Sequence, residues 1–323
     1  MTVDPPLDEI LDRACRAPSV HNTQPWRWRV RANQVDLFAD LGRQLVHADP
    51  DARDLMISCG AALHHLQVAA AGLGWATRVS RLPHASDQQH IARVVLSATP
   101  PSPEAAELLE ALGRRCTDRR RPTSWPVPSE RLPLLASTGT AWGAQVLPVT
   151  SDARKAQLRR LTDRARRVQE RDPRYVAEIA AWTSPSPSHG VPRTHVPRAM
   201  AHAGKGSPYG RFPSGVLDDP ILETEPSEDA MLLVCTSSDD AIARVRAGEA
   251  LSALWLKATQ EGLSVVPLTQ AVEVEETRRE LREDVLGELA FPQAVVRVCW
   301  LPAAREGLPP TPRRPREEVV TYE

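Results

Sequence analysis

The chain has 323 residues, enough for one large or two ordinary domains, and 41% of them are hydrophobic while 25% are charged. A formal net charge of −1 gives no electrostatic reason to expect a nucleic acid or an anionic membrane as partner. Five scattered cysteines without a C-x-x-C pair exclude a disulfide framework and a cysteine zinc site. The N-terminus is unlike a secretory signal and the apolar runs look too short for a bilayer, so we predict a cytoplasmic protein.

The first third of the chain is predicted to form one helix-and-strand unit. A short helix at 7–16 precedes two strands at 26–31 and 34–39, which a tight turn joins. A long apolar helix over 52–73 and a strand at 90–97 follow. Prolines at 100, 101 and 103 then mark a boundary.

The remainder is predicted to contain a second set of helices and strands. Helices are expected at 104–115, 152–170, 174–182 and 240–261, and strands at 146–149, 231–235, 263–267 and 294–300. The tail at 309–323 is rich in proline and arginine. Together these helices and strands are expected to form an α+β protein.

The two long predicted helices repeat each other without a gap at an offset of 188 residues. The identical pairs are Gly60/Gly248, Ala62/Ala250, Leu63/Leu251, Leu66/Leu254, Ala70/Ala258 and Gly74/Gly262. Matching flanks favour two copies of one α+β unit, at 1–103 and 104–323, over the alternative that buried alanine-rich helices simply resemble one another.

Residues 183–227 form an insert dominated by serine, glycine and proline, which excludes a long helix there. A stretch of this length is either disordered or a lid over a site. Its His189, His195 and His202 are spaced six and seven residues apart without a nearby cysteine, so we predict solvated or lid-lining histidines and no metal site.

The most unusual stretch, residues 17–30, places an amide-rich turn between the first helix and the first strand. Proline limits the backbone at its two ends, and the neutral side chains between them suit the edge of a polar heteroaromatic ring. Two tryptophans share one face of the following strand. The residues singled out are Pro18, Ser19, His21, Asn22, Gln24, Pro25, Trp26, Arg27 and Trp28. Without further support, a plain helix-to-strand turn anchored by the tryptophans explains them equally well.

The pattern Pro18-Ser19-x-x-Asn22-x-Gln24-Pro25-Trp26 resembles the signature turn of the nitroreductase superfamily of FMN-dependent oxidoreductases. With His21 before the asparagine and Arg27-Trp28 after it, the chain is similar to the Acg-type subfamily found in actinobacteria. The resemblance implies an α+β nitroreductase-like fold, here duplicated in one chain, and one bound FMN with NAD(P)H as transient electron donor.

Three further segments carry the resemblance. Arg115-Cys116-Thr117-Asp118-Arg119 is similar to the family's Arg-x-Ser-x-Arg turn, which implies that Arg115 and Thr117 hold the FMN phosphate and that Arg119 reaches the ribityl chain or the ring. Two basic residues of the tail, Arg313 and Arg314, match positions of the family's C-terminal segment, which implies that their side chains bind the same FMN phosphate. The turn of Pro267, Leu268, Thr269 and Gln270 resembles the one that faces flavin N5 through a backbone N–H or a small side chain.

Each half of the chain keeps only part of the family pattern. The first unit has the Pro-Ser turn but no arginine pair before it, and the second has the arginine pair but no equivalent turn at 138–142. The resemblance therefore implies a single FMN site built from both halves, in a monomer that acts as its own pseudo-dimer.

We predict a two-electron reduction of a small electrophile of nitro or quinone type, with the flavin carrying the chemistry and no catalytic side chain assigned. The alternative is an FMN-sequestering protein whose lid excludes nicotinamide. Bleaching of the bound flavin by NAD(P)H distinguishes the two.

Overall fold

A computed structural model describes residues 4–183, 186–198, 211–212, 215–219, 228–301 and 307–323. Of the predicted insert at 183–227, His202 and much of the surrounding stretch lie outside these residues. His189 and His195 lie within them.

A five-stranded sheet forms in the first part of the chain. Helix α1 (Leu7–Ala14) leads into strands β1 (Trp26–Arg31) and β2 (Gln34–Ala39); helix α2 (Arg53–Gly72) then precedes β3 (Trp75–Arg81) and β4 (His90–Ala98). The strand order is β3-β4-β2-β1-β9, in which β9 (Val320–Tyr322) comes from the C-terminus and pairs parallel to β1. Alternate residues of β1 are buried and exposed, as expected for a half-buried strand.

A four-stranded antiparallel sheet forms in the second part, in the order β5-β6-β8-β7. Its strands are β5 (Gln145–Val149), β6 (Ala230–Thr236), β7 (Ser264–Pro267) and β8 (Phe291–Cys299). The accompanying helices are α3 (Pro103–Arg114), α4 (Arg131–Thr140), α5 (Asp152–Glu170), α6 (Pro173–Trp182), α7 (Ala241–Gln260), α8 (Gln270–Glu273), α9 (Glu275–Glu280) and α10 (Arg316–Val319). All elements together form an α+β protein.

The two sheets have the same internal order. Reading β1, β2, β3 and β4 as counterparts of β5, β6, β7 and β8 makes the orders β3-β4-β2-β1 and β7-β8-β6-β5 identical. Helix α2 lies between β2 and β3 in the chain, as α7 lies between β6 and β7. The two-residue turn at 32–33 corresponds to the long connection at 150–229, which contains α5, α6 and the insert.

Helices α2 and α7 pack directly on each other at two glycines. A Cβ on Gly60 would lie 2.0 Å from the carbonyl oxygen of Val245, and one on Gly248 would lie 2.0 Å from that of Ile57. The two contacts are reciprocal, because Val245 and Gly248 follow Ile57 and Gly60 at the repeat offset. Only glycine permits so close an approach of two backbones.

The structure corrects several expectations from the sequence. Strand β3, helix α4 and strand β9 were not predicted. Strand β9 belongs to the predicted second unit, 104–323, but it pairs in the sheet of the first unit. Helix α2 is long and apolar enough to pass a composition test for a membrane span, contrary to our expectation. However, 83% of its most apolar window is buried inside the protein, where it packs against α1, α3 and α7.

Candidate functional site

A cleft of about 1200 Å³, counting its opening, lies where the N-terminal ends of α2 and β1 meet α7 and β7. It brings together residues from all four segments that carry the family resemblance. The predicted residues that line it are Pro18, Ser19, His21, Asn22, Arg115, Thr117, Arg119, Pro267, Leu268, Thr269, Gln270 and Arg313. Residues from both parts of the chain therefore form one site.

The turn before β1 adopts a strained backbone. His21, Asn22 and Gln24 have positive φ angles of 45°, 56° and 51°, a region that non-glycine residues enter at a cost of roughly 1 to 3 kcal/mol each. Hydrogen bonds hold the conformation: Gln24 N donates to Ser19 Oγ at 3.0 Å, and Val20 N donates to Ser58 Oγ of helix α2 at 3.0 Å. The strained turn is thereby fixed to the helix that forms the floor of the cleft.

The two carboxamides of this turn bind protein segments that cover the site. Asn22 Nδ2 donates to the carbonyl oxygens of Gly190 in the insert and Pro312 in the tail, both at 3.0 Å. Asn22 Oδ1 accepts a hydrogen bond from Arg313. Gln24 Nε2 donates to Ser188 O at 2.8 Å, and its Oε1 accepts from the backbone N–H of Arg314. Their polar atoms thus bond the insert and the tail rather than standing open toward a ring.

Five predicted site residues next to this turn lie outside the lining of the cleft, which corrects our expectation. Trp26 and Trp28 are buried in the core of the first sheet, because they share its inner face. Pro25 is buried behind them and accepts a hydrogen bond from the Cys59 thiol. Exposed Arg27 pairs with Asp40 at 2.9 Å. Gln24, described above, is the fifth.

Arg314, the other predicted phosphate ligand, also departs from expectation. Its guanidinium lies 3.3 Å from Asp40 and donates to the carbonyl oxygen of Gln24. It lines only an adjoining basic pocket. In this arrangement Arg314 fastens the tail to the turn.

At one end of the cleft, the lining residues Arg115 and Arg313 lie beside Arg16. Arg115 Nη2 and Arg313 Nη2 both donate to the carbonyl oxygen of Arg16, at 3.0 and 3.1 Å. The Nε atoms of Arg115 and Arg313 are buried and have no partner among the described residues. Burial and the neighbouring guanidinium groups lower the pKa of Arg115 to about 10 and of Arg313 to about 9. Such a cluster is suited to an anion with several oxygen acceptors.

Arg119 and Thr117 continue the lining from this end toward the middle of the cleft. The Arg119 guanidinium lies 4.8 Å from the centre of the Phe212 ring, in cation–π contact. Burial, and then Arg211, lowers its pKa to about 10. Neighbouring Asp118 pairs with Arg120 rather than with Arg119.

The other end of the cleft is formed by the turn after β7. Leu268 N donates to Val295 O at 2.7 Å, so it is engaged in the sheet and cannot serve a ligand. The N–H groups of Thr269 and Gln270 donate to none of the described residues, which leaves them as the available backbone donors of this turn. The side chain of Gln270 points away and donates to Gln169 Oε1 at 3.0 Å.

The structure adds lining residues that the sequence reasoning missed. On α2 they are Asp54, Ile57, Ser58 and Ala61; on α7 they are Leu251 and Trp255; and in the insert they are Val191, Arg211 and Phe212. The α2 residues are spaced so that they lie on one face of the helix. Asp54, the single acidic residue in this largely apolar helix, was therefore a signal that the sequence could have given. The insert residues had no local signal.

Arg211 links the insert to the turn and to α8. It forms a buried ion pair with Glu273 and donates to Thr269 Oγ1 and His21 Nε2, each at 3.2 Å. Although burial acts to lower the pKa of Arg211, the Glu273 carboxylate outweighs it, and the pKa is raised. Burial and the cations Arg211 and Arg119 hold the pKa of His21 well below its ordinary value, so His21 is neutral and accepts from Arg211.

The 188-residue repeat offset relates the residues of the cleft to a second position in the protein. Side chains of the protein fill that second position. Glu249 stands where the offset places the counterpart of Ala61, and it is fully buried. Arg81 donates to both of its carboxylate oxygens, at 2.7 and 2.8 Å, and Gln67 donates at 2.9 Å. In addition, residues 141–144 replace the long turn of residues 15–25 between helix and strand.

No family model matches the chain. Two curated relatives from Mycobacterium tuberculosis match along nearly all of it. The protein named "Putative NAD(P)H nitroreductase Rv3131" is 37% identical over 320 residues, which is 97% of this chain and 90% of the relative. The one named "Putative NAD(P)H nitroreductase acg" is 34% identical over 321 residues, 97% of this chain and 94% of the relative.

Two solved structures align to part of the chain. A Desulfitobacterium hafniense nitroreductase with bound FMN covers 67% of this chain and 98% of its own, with 13% identity and a TM-score of 0.44. A Bacteroides fragilis nitroreductase with bound FMN covers 64% and 94%, with 15% identity and a TM-score of 0.41.

Proposed function

Since the chain belongs to the family of these Acg-type NAD(P)H nitroreductases, we propose that it binds one FMN and uses NAD(P)H to reduce a small electrophile of nitro or quinone type. The observation that carries the proposal is the cleft itself. Its lining unites the neighbouring guanidinium groups of Arg115 and Arg313 with an open backbone N–H and a mostly apolar floor.

The arginine end fits a phosphate. Arg115 and Arg313 each have an orphaned buried Nε, they repel each other and Arg16, and no carboxylate of the described residues forms an ion pair with either of them. A phosphate dianion supplies the missing acceptors and removes the repulsion. Thr117, which also lines this end, would contribute a hydroxyl.

The middle and far end fit a flat heteroaromatic ring. Ile57, Ala61, Leu251 and Trp255 provide an apolar surface, and Thr269 N–H stands at one edge. Arg119 would stabilise negative charge on the ring by its guanidinium. Bound FMN supplies hydride acceptance and donation; the protein's part is to bind, orient and exclude water.

We further propose that two duplicated units form a pseudo-dimer with one FMN per chain. The shared strand order, the reciprocal glycine contacts and the repeat offset support the duplication. The Glu249–Arg81 pair and the short connection at 141–144 support the loss of the second site. A monomer then contains a complete site.

The alternative, FMN sequestration with little turnover, is favoured by one observation. Val191, Arg211 and Phe212 of the insert line the cleft, and Asn22, Gln24 and Glu273 bind the insert there. An insert held closed would keep nicotinamide from the ring.

The visible spectrum of the purified protein, followed by anaerobic addition of NADPH and then NADH, tests the proposal. A flavin spectrum that bleaches within seconds supports the oxidoreductase. A yellow protein that dithionite bleaches but nicotinamides do not would replace it with the sequestration alternative. A protein that stays colourless after incubation with FMN would overturn both.

A further inference from the structure

Asp54 is a buried carboxyl group in the wall of the cleft, in the first turn of α2. Its residue is 6% exposed, and no described residue donates a hydrogen bond to its Oδ2. A carboxylate so placed would be costly, because burial without hydrogen bonds disfavours the charged form. The redox chemistry proposed above did not use this group.

The charges around Asp54 also favour its neutral form. The other ionised groups that face it are the acids Asp49 and Glu273 and the bases Arg211 and Arg53. Arg53 is already paired with a further acid, Asp239, and Arg211 with Glu273. Each of the two bases therefore has another acid as its partner, and Asp54 has no ion-pair partner among the described residues.

Of the three neighbouring carboxyl groups, Asp54 is the one to which no described residue donates a hydrogen bond. Asp49 accepts the N–H of Leu55 at 2.9 Å, and Glu273 accepts from Arg211 and Gln169. Donors therefore reach both of these carboxyl groups, although burial also raises the pKa of Asp49, and Glu273 Oε1 has no partner among the described residues. Burial, followed by the charges of Asp49 and Glu273, raises the pKa of Asp54 well above its ordinary value of 3.8.

We propose that Asp54 is the general acid that protonates the electron acceptor in this cleft. The inference rests on the proposed function, because it concerns the acceptor of that same reaction. Asp54 shares the lining with the Pro267–Gln270 turn and with Val191, Arg211 and Phe212 of the insert, so it borders the space that an acceptor would enter. A general acid contributes typically 10² to 10⁴ in rate.

In the proposed step the acceptor gains two electrons and two protons. NAD(P)H supplies two electrons and one proton as a hydride equivalent, so a neutral acceptor becomes an anion with one added hydrogen. The O–H bond of Asp54 breaks, its proton bonds to the acceptor's oxygen or nitrogen, and a carboxylate remains. Water at the mouth of the cleft returns a proton to Asp54, so that NAD(P)H, one proton and the acceptor give NAD(P)⁺ and the doubly reduced product.

Reoxidation of the dithionite-reduced holoprotein tests this step without NAD(P)H. Asp54→Asn keeps the shape of the neutral acid but carries no acidic proton, while Asp51→Asn changes an exposed acid outside the cleft lining. With p-benzoquinone, which needs protons, we expect Asp54→Asn to slow reoxidation by about 100-fold. With ferricyanide, which takes electrons alone, we expect both variants to match the wild type.

A second readout is independent of activity. If Asp54 is neutral in the folded chain and ionised in the unfolded chain, folding is weakened as pH rises above 3.8, up to its raised pKa. Asparagine has no such penalty. The melting temperature of Asp54→Asn should therefore rise relative to wild type between about pH 4 and pH 7, whereas that of Asp51→Asn should not.

The two readouts separate the possible failures. Equal quinone rates for Asp54→Asn and wild type would overturn the acid role, as would an equal loss with ferricyanide. If no FMN binds to the wild type, the proposed function fails. The melting temperatures test Asp54 separately: a difference between Asp54→Asn and wild type that does not grow with pH would show that Asp54 is charged in the folded chain. If Asp54→Asn does not fold, the wild-type protein can still test the proposal through the ratio of its reoxidation rates with p-benzoquinone and with ferricyanide. A ratio that stays constant from pH 6 to pH 10 would reject the proposal.

Discussion

His64 Nδ1 and Ser252 Oγ lie 2.8 Å apart and share a hydrogen bond at the buried crossing of α2 and α7. Ser252 follows His64 by the offset at which the two helices repeat. A residue touches its own counterpart only near an axis that relates the two copies, so this bond marks where such an axis would cross the proposed pseudo-dimer.

Adding a methyl group at this crossing should destabilise the protein strongly. In Gly60→Ala or Gly248→Ala the new Cβ would meet a backbone carbonyl oxygen at 2.0 Å, and neither helix backbone can yield cheaply. We expect a loss of about 3 kcal/mol or more in the free energy of unfolding, measured by urea denaturation. Gly113→Ala is the control, because that helical glycine has no atom nearer than 3.9 Å and should gain up to about 1 kcal/mol. Stability equal to wild type in both crossing variants would contradict the packing described.

The arginine cluster should recognise the phosphate specifically. Arg115→Ala removes a guanidinium with an unused buried Nε, and we expect FMN affinity to fall by about tenfold to hundredfold. Riboflavin lacks the phosphate, so its affinity should change little. Quenching of flavin fluorescence measures both, and Arg154→Ala on exposed α5 is the matched control. An equal loss for riboflavin would place Arg115 at the ring instead.

Arg211 should decide how firmly the insert covers the cleft. Arg211→Met leaves Glu273 buried without its partner, at a cost of about 3 to 5 kcal/mol where the pair is fully desolvated. We expect faster limited proteolysis within the insert and faster reduction of bound flavin by NADPH. Glu273→Gln added to Arg211→Met should restore part of the stability but not the closure. Arg198→Ala, at an exposed site of the insert, serves as control. If Arg198→Ala accelerated proteolysis and flavin reduction as much as Arg211→Met, the contacts of Arg211 would not be what holds the insert closed.

Acid should unfold the protein through its buried histidines. Burial lowers the pKa of His64 to about 3, and His21 and His65 also have pKa values well below 6.5, through burial and nearby arginines. The folded chain keeps these rings neutral while the unfolded chain protonates them, so stability is lost as pH falls below about 6.5. Each ring contributes up to about 1.4 kcal/mol per pH unit.

His64→Gln tests this dependence at one site. Glutamine can still bond Ser252 but does not titrate, so the slope of unfolding free energy against pH between about 4 and 6 should become shallower. His47→Gln, at an exposed histidine, provides the comparison. An unchanged slope for His64→Gln would mean that the ring gains a proton without unfolding.

The sequence by itself determined most of the secondary structure and the α+β class. Strand β1 and the long helices α2 and α7 follow from local patterns of apolar residues, and glycine or proline ends them. The repeat at a fixed offset also required only the chain. The family resemblance selected the segments that meet in the cleft, because each carries its residues within a few positions of one another.

Only the tertiary structure decided which atoms those segments leave open to a ligand. Asn22 and Gln24 are bound to Gly190, Ser188 and the tail, and Trp26 faces the core rather than the cleft. The pairing of Arg211 with Glu273 and the isolation of Asp54 depend on groups far apart in the chain. Hydrogen-bond partners and desolvation are properties of a three-dimensional neighbourhood, and no local pattern encodes them.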